Sequence, residues 1–151
     1  MTHGAVIRPV DARTFPYAGQ PMAVLAEPTP GVDSLAAAEM LVPARFAGPV
    51  PHAHHGFDEA LYILDGVLLL TYGHDDPVEA AAGTFCMAPR GVRHTFANPD
   101  SSPVRVLGLW TPGDAGLRFM TDIGAAMPPG GAPDPELVAD LYRRHGSDLL
   151  P

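Results

Sequence analysis

The chain has 151 residues, 46% hydrophobic and 17% charged, enough to bury one core without disulfides or metal staples. Its formal net charge of −8 excludes an electrostatic nucleic-acid footprint and disfavours an anionic membrane surface. All nine basic residues are arginine, so Schiff-base catalysis by lysine is excluded, and Cys86, the only cysteine, cannot form an internal disulfide.

Taken in chain order, the first nineteen residues lack a basic segment followed by a long apolar run, so no signal peptide is expected. Strands are predicted at Ala5–Val10, Met22–Ala26, Ala36–Val42, Ala60–Leu64, Val67–Tyr72, Thr84–Ala88, His94–Ala97 and Val104–Trp110. Turn signals separate them at Pro28-Thr29-Pro30-Gly31, Asp65-Gly66, His74–Pro77, Pro89-Arg90-Gly91 and Asn98-Pro99-Asp100. Asp65-Gly66 between two apolar runs predicts a two-residue hairpin, because glycine tolerates the positive φ of a type I′ turn. Beyond Thr111 a helix is predicted from Gly113 to about Ala125. A second spans Pro135–His145, with Asp134 or Pro135 at its start, Leu137, Val138 and Leu141 at helical spacing, and Gly146 past its end. The longest apolar run, Val67–Leu70, is too short to cross a bilayer, and a cytoplasmic location is expected. One domain over residues 1–151 is expected: N-terminal strands in 1–34, a barrel core in 35–112 and a helical tail in 113–151.

Two segments carry chemistry. His52 and His54 stand two apart, so on a strand they share a face, and Glu59 opens an apolar strand after the break at Gly56. Two imidazoles and a carboxylate can converge there. In the second segment a strand, the turn Pro89-Arg90-Gly91 and another strand present His94, which can supply a third imidazole.

These segments resemble the two signature motifs of the cupin superfamily. Gly48, His52, His54, Glu59 and Gly66 follow the first, G-x5-H-x-H-x4-E-x6-G, although Gly48 lies only four residues before His52. Gly83, Pro89, Gly91, His94 and Asn98 follow the second, G-x5-P-x-G-x2-H-x3-N, without departure. The resemblance implies an all-β conical jelly roll, the double-stranded β-helix, with short C-terminal helices. It also implies one divalent metal ion on His52, His54, Glu59 and His94; three imidazoles and a carboxylate suit Fe, Ni, Mn, Zn, Co or Cu. Asp58 is the alternative carboxylate. His55 has the wrong parity, and His3, His74 and His145 read as surface residues. Parity turns Leu61, Ile63 and Phe96 inward, with Met40, Phe85, Met87 and Trp110 as further lining candidates. Cys86 reads as a small buried hydrophobe, and Arg90 and Arg93 as solvated surface groups, with contact to an anionic substrate at the rim as the alternative.

From about Ala23 onward the chain looks like bacterial single-domain cupins related to quercetin 2,3-dioxygenase. A metal-dependent dioxygenase acting on a small enol- or phenol-bearing molecule is therefore expected, with Glu59 as ligand and proton acceptor. A non-redox cyclase, isomerase or lyase resembling polyketide cyclases is the alternative, and a small-molecule binding or sensing module the third reading. A homodimer is expected from the resemblance, with neither nucleic acid nor membrane as partner.

Overall fold

The structure, a computed structural model, describes residues 5–28, 34–130 and 132–151. His3 and most of the turn expected at 28–31 lie outside the described residues. Among the described residues, eleven strands and two helices follow a short 3₁₀ turn, Pro9–Asp11. The strands are β1 (Thr14–Tyr17), β2 (Gln20–Ala26), β3 (Ala36–Val42), β4 (His52–His54), β5 (Asp58–Asp65), β6 (Val67–Tyr72), β7 (Val78–Ala81), β8 (Phe85–Ala88), β9 (His94–Ala97), β10 (Val104–Thr111) and β11 (Ser147–Leu149). Helices α1 (Gly113–Ala126) and α2 (Pro135–Arg144) sit between β10 and β11.

The strands form two antiparallel sheets, β1-β2-β3-β10-β5-β8 and β11-β4-β9-β6-β7, the walls of a double-sheet jelly roll. Alternation along each strand decides which side chains fill the space between them. On β10, Val104, Val106 and Trp110 point inward; on β5, Glu59, Leu61 and Ile63 do so while Tyr62 faces out. Met22, Met40, Leu68, Leu70 and Phe96 complete much of the core.

Two glycines are dictated by close approach. Gly48 has φ +92°, and a Cβ there would stand 1.9 Å from the Phe96 carbonyl oxygen, so its place before the histidines is fixed by the neighbouring strand and tolerates the shortened spacing. Gly116 lets α1 lie directly on Trp110, whose Cβ would be 2.3 Å from any added methyl group.

Several expectations are corrected. No strand forms over Ala5–Val10: Val6 and Val10 are 95% and 83% exposed, and Pro9, without an N–H to donate, opens the 3₁₀ turn instead. Asp65-Gly66 does not close a hairpin, because β5 and β6 belong to different sheets; Gly66, at φ +89°, passes under Val104 as the chain changes wall. Phe85 and Met87 face outward, since β8 aligns Cys86 with Leu61 and Ala88 with Glu59. Leu137 is exposed, and Tyr142 joins Val138 and Leu141 on the buried face of α2. The start of α2 is as expected: Asp134 Oδ1 accepts from the Glu136 N–H at 2.9 Å, ahead of Pro135 in the first turn.

Replacing Gly116 by Ala is expected to push Trp110 or α1 away and destabilise the fold by about 1–3 kcal/mol. Chemical denaturation checks this, and an unchanged midpoint would show that the contact yields freely.

Candidate metal centre

His52 and His54 leave β4 on one face, and the antiparallel register of β4 with β9 sets His94 directly across from His52. Glu59 comes from β5 in the opposite sheet and closes the group from the far wall. All four side chains are buried. The ligand atoms of the three imidazoles lie within 4.8 Å of one another. The Glu59 carboxylate stands 3.8 Å from His54 Nε2 and 3.7 Å from His94 Nε2.

Each ring is held at its other nitrogen. His52 Nδ1 donates to the Val50 carbonyl at 2.8 Å and His94 Nδ1 to the Val92 carbonyl at 2.9 Å, so in the neutral form of either ring the lone pair lies on Nε2. His54 Nδ1 lies 2.8 Å from Ser147 Oγ on β11. Trp110 Nε1 donates to Glu59 Oε2 at 3.0 Å, leaving Oε1 without that restraint. Among the described residues, His54 Nε2 and His94 Nε2 are buried with no hydrogen-bond partner. Unpaired buried polar atoms normally cost about 1–3 kcal/mol each, so a cluster aimed at one point fits a cation. The donor set of neutral imidazoles with a carboxylate beside them suits a divalent transition ion.

Electrostatics agrees. Burial lowers His52 to about 4, helped by the charge of His94, and lowers His54 to about 3. Burial alone would raise Glu59, but the imidazoles of His94, His54 and His52 outweigh it and hold the carboxyl at about 2. Burial would lower His94, yet Glu59 raises it. Near neutral pH, Glu59 is therefore an anion, while His52 and His54 present neutral rings.

Above this group the chamber is walled by Met40, Leu61, Phe96 and Trp110 from the barrel and by Phe119, Met120, Ile123 and Tyr142 from the helices, with Tyr17 from β1. Its free volume is about 20 Å³, room for roughly one water molecule. Met40 and Trp110 line it as the sequence suggests. Asp58 does not reach the imidazoles; it accepts from the Arg90 N–H at 2.9 Å and pairs with the Arg90 guanidinium at 3.4 Å. His55 is exposed and meets Asp148 at 2.8 Å, and His74 is exposed in its loop. His145 is corrected: it is half-buried, tied to Asp122 at 2.8 Å and edge-on to Phe119, joining α2 to α1. Arg90 and Arg93 are not simply solvated. Arg90 also reaches the Thr111 carbonyl, and Arg93 holds the Leu150 carbonyl at 2.6 Å and that of Gly73. Cys86 is partly buried, with burial pushing its thiol pKa up, as befits a small hydrophobe. Asn98 is fully buried, and its amide donates to the Pro43 and Ser102 carbonyls at 2.9 Å each. It staples the loops behind the site.

Three residues escaped sequence reading. Ser147 sits on a three-residue strand with no strand pattern, Tyr17 on a strand interrupted by Pro16, and Tyr142 on a helix face whose other members were apolar.

With that geometry in place, residues 38–111 match the Cupin domain family. The chain belongs to the cupin superfamily. A Cupin 2 conserved barrel domain protein from Salinispora arenicola superposes on this cupin with TM-score 0.54 and 20% identity, over 95% of this chain and 100% of that one. A predicted oxalate decarboxylase from Thermotoga maritima gives 0.62 and 21% over 71% and 98%. The polyketide cyclase RemF from Streptomyces resistomycificus gives 0.61 and 19% over 73% and 80%. At these identities the likeness speaks for the fold. No curated protein sequence matches the chain. No helix among the described residues is long and apolar enough to cross a membrane.

The shifts set an acid limit. In an unfolded chain these imidazoles take up protons near pH 6.5, whereas His52 and His54 in the fold do so near 4 and 3. Over that interval the unfolded state holds more protons, so stability falls as pH drops. His94, shifted upward, acts in the opposite sense and offsets part of the loss. Thermal melts of the metal-free protein are expected to show Tm declining from about pH 6.5 to about 4; a Tm that rises over this range would contradict the assignment.

Proposed function

We propose that this cupin is a metal-dependent enzyme, a dioxygenase acting on a small enol- or phenol-bearing molecule. The observation that carries the reading is the pair of buried, unpartnered Nε2 atoms of His54 and His94 beside an ionised carboxylate. In this reading His52, His54, His94 and Glu59 together hold one divalent transition ion. Such an ion supplies Lewis acidity and, if it is iron, nickel, manganese or copper, redox chemistry with dioxygen.

The chain's own groups have definable parts in this scheme. Glu59 Oε2 is steadied by the Trp110 N–H, so Oε1 is the atom free to take the proton of a substrate hydroxyl. Burial raises the phenol of Tyr17, with Tyr142 and Glu59 adding to it, and burial raises that of Tyr142, with Glu59 adding; both line the chamber as neutral phenols. The apolar walls keep bulk water from the reacting atoms. A non-redox ring closure, isomerisation or lyase reaction would use the same ionised Glu59 and neutral tyrosines with a redox-silent ion. The same acid–base set supports that second reading.

Elemental analysis of the purified protein, run beside oxygen consumption with a flavonol, separates the two. Iron, nickel, manganese or copper with substrate-dependent oxygen uptake is expected; zinc with anaerobic turnover would replace the dioxygenase reading by the non-redox one. No metal after reconstitution would sink both. His94→Ala is expected to strip the ion and remove the rise in Tm that a ligand of the folded state confers. Ser147→Ala, which frees His54 Nδ1, is expected to weaken metal binding by about tenfold or more in a chelator competition. Undiminished affinity would show that Ser147 does not orient the ring.

A further inference from the structure

The chamber over the imidazoles holds about one water, so any larger molecule that reaches them must keep most of its bulk elsewhere. A second cavity stands next to it. A groove of about 470 Å³ runs between the loop at 43–50 and the segment leading from α1 into α2, within the size range of small-molecule sites. Phe46, Ala47 and Val50 form one wall; Met127, Pro133 and Val138 form the other. Pro49, Ile123 and Tyr142 line both the groove and the metal chamber, so the two spaces share a partition. Tyr142 is its bulkiest member, with its ring 5.1 Å from that of His52.

Two further observations mark the groove. Its one charged lining residue, Arg45, is exposed, and its guanidinium donates to the Pro99 carbonyl at 2.6 Å. Ala18 and Arg45, the two non-glycine residues with left-handed backbone among the described residues, at φ +49° and +57°, both line this groove. Ala18 takes its φ from the two-residue turn joining Tyr17 of β1 to Gln20 of β2, and Arg45 is held by its N–H donating to the Asp100 carbonyl at 2.9 Å.

We propose that this groove is a binding site for the uncharged, apolar body of the substrate, with Tyr142 as the partition past which the substrate's oxygen-bearing head reaches the imidazoles. The inference rests on the functional reading above and narrows it to amphiphilic phenols or enols. A free ammonium on the body would be desolvated against Phe46, Val50 and Val138, and the lining holds no carboxylate to pair with it.

The test uses 4-alkylphenols, from 4-methylphenol to 4-heptylphenol, titrated calorimetrically into the metal-loaded and metal-free protein. Burial in the groove is expected to tighten binding by about three- to fourfold per added methylene. Ala47→Asp and Ala132→Asp, both at exposed positions on the groove walls, are expected to abolish that increment, with metal content measured on the same samples as the check on integrity. Affinity independent of chain length in the parent protein, or an increment that survives both substitutions, overturns the groove. So does an increment that vanishes as the protein dimerises in light scattering, because a second copy of the chain then fills the groove. Failure of the metal reading looks different: loaded and metal-free protein bind every alkylphenol alike, while the dependence on chain length persists.

Discussion

The arrangement depends on one constraint: two buried imidazole nitrogens point at the same small volume, and among the described residues no hydrogen bond answers them. A fold tolerates that only if the cost is offset elsewhere or if something else completes the site. Here the offset is structural. Each ring is pinned from behind, His52 and His94 by carbonyls two residues away and His54 by a serine ninety-three residues on. Pinning the distal nitrogens decides which lone pairs face inward, so the barrel's contribution is orientation and tautomer together. The opposite sheet adds the countercharge in Glu59, itself steadied by Trp110, and Trp110 in turn dictates a glycine in the helix lying on it.

The helical tail therefore belongs to the site. Phe119 packs edge-on to His54 with centroids 4.6 Å apart, and Tyr142 does the same to His52. Together they turn the open mouth of a sheet sandwich into a chamber of low polarity, where the carboxylate–imidazole interactions are felt strongly. The tail is fastened at several points: β11 on β4, Leu150 N–H on the Pro51 carbonyl at 2.7 Å, and Arg93 on the Leu150 carbonyl.

Most of the imidazole cluster was legible in the sequence because strand parity is a rigid rule. An alternating His-x-His can only put both rings on one face, and the Pro-x-Gly turn before His94 admits few paths. Strands β6 and β9 were readable to the residue for the same reason. What was hidden depends on pairings that no local pattern encodes. Asp65-Gly66 has the composition of a hairpin, yet the strands it joins enter different sheets, a choice made by their partners β10 and β9. Phe85 and Met87 look like core residues until the register with β5 assigns the inward places to Cys86 and Ala88. Ser147, in a strand of three residues, is visible only through what it touches. Tyr17 was masked by Pro16, which an edge strand accommodates and an interior one would not.

The separation of His54 from Ser147 also has a temporal meaning. A chain elongates at about 5–20 residues per second, so His54 waits roughly 5–20 s before its partner is even synthesised. During that interval the histidine pair of β4 lacks the serine, the edge strand and both helices. An ion met by the nascent chain would find imidazoles still free to rotate and open to water. The orientation of His54 is thus deferred until β11 has docked, so a late-made strand sets the geometry of a ring made much earlier.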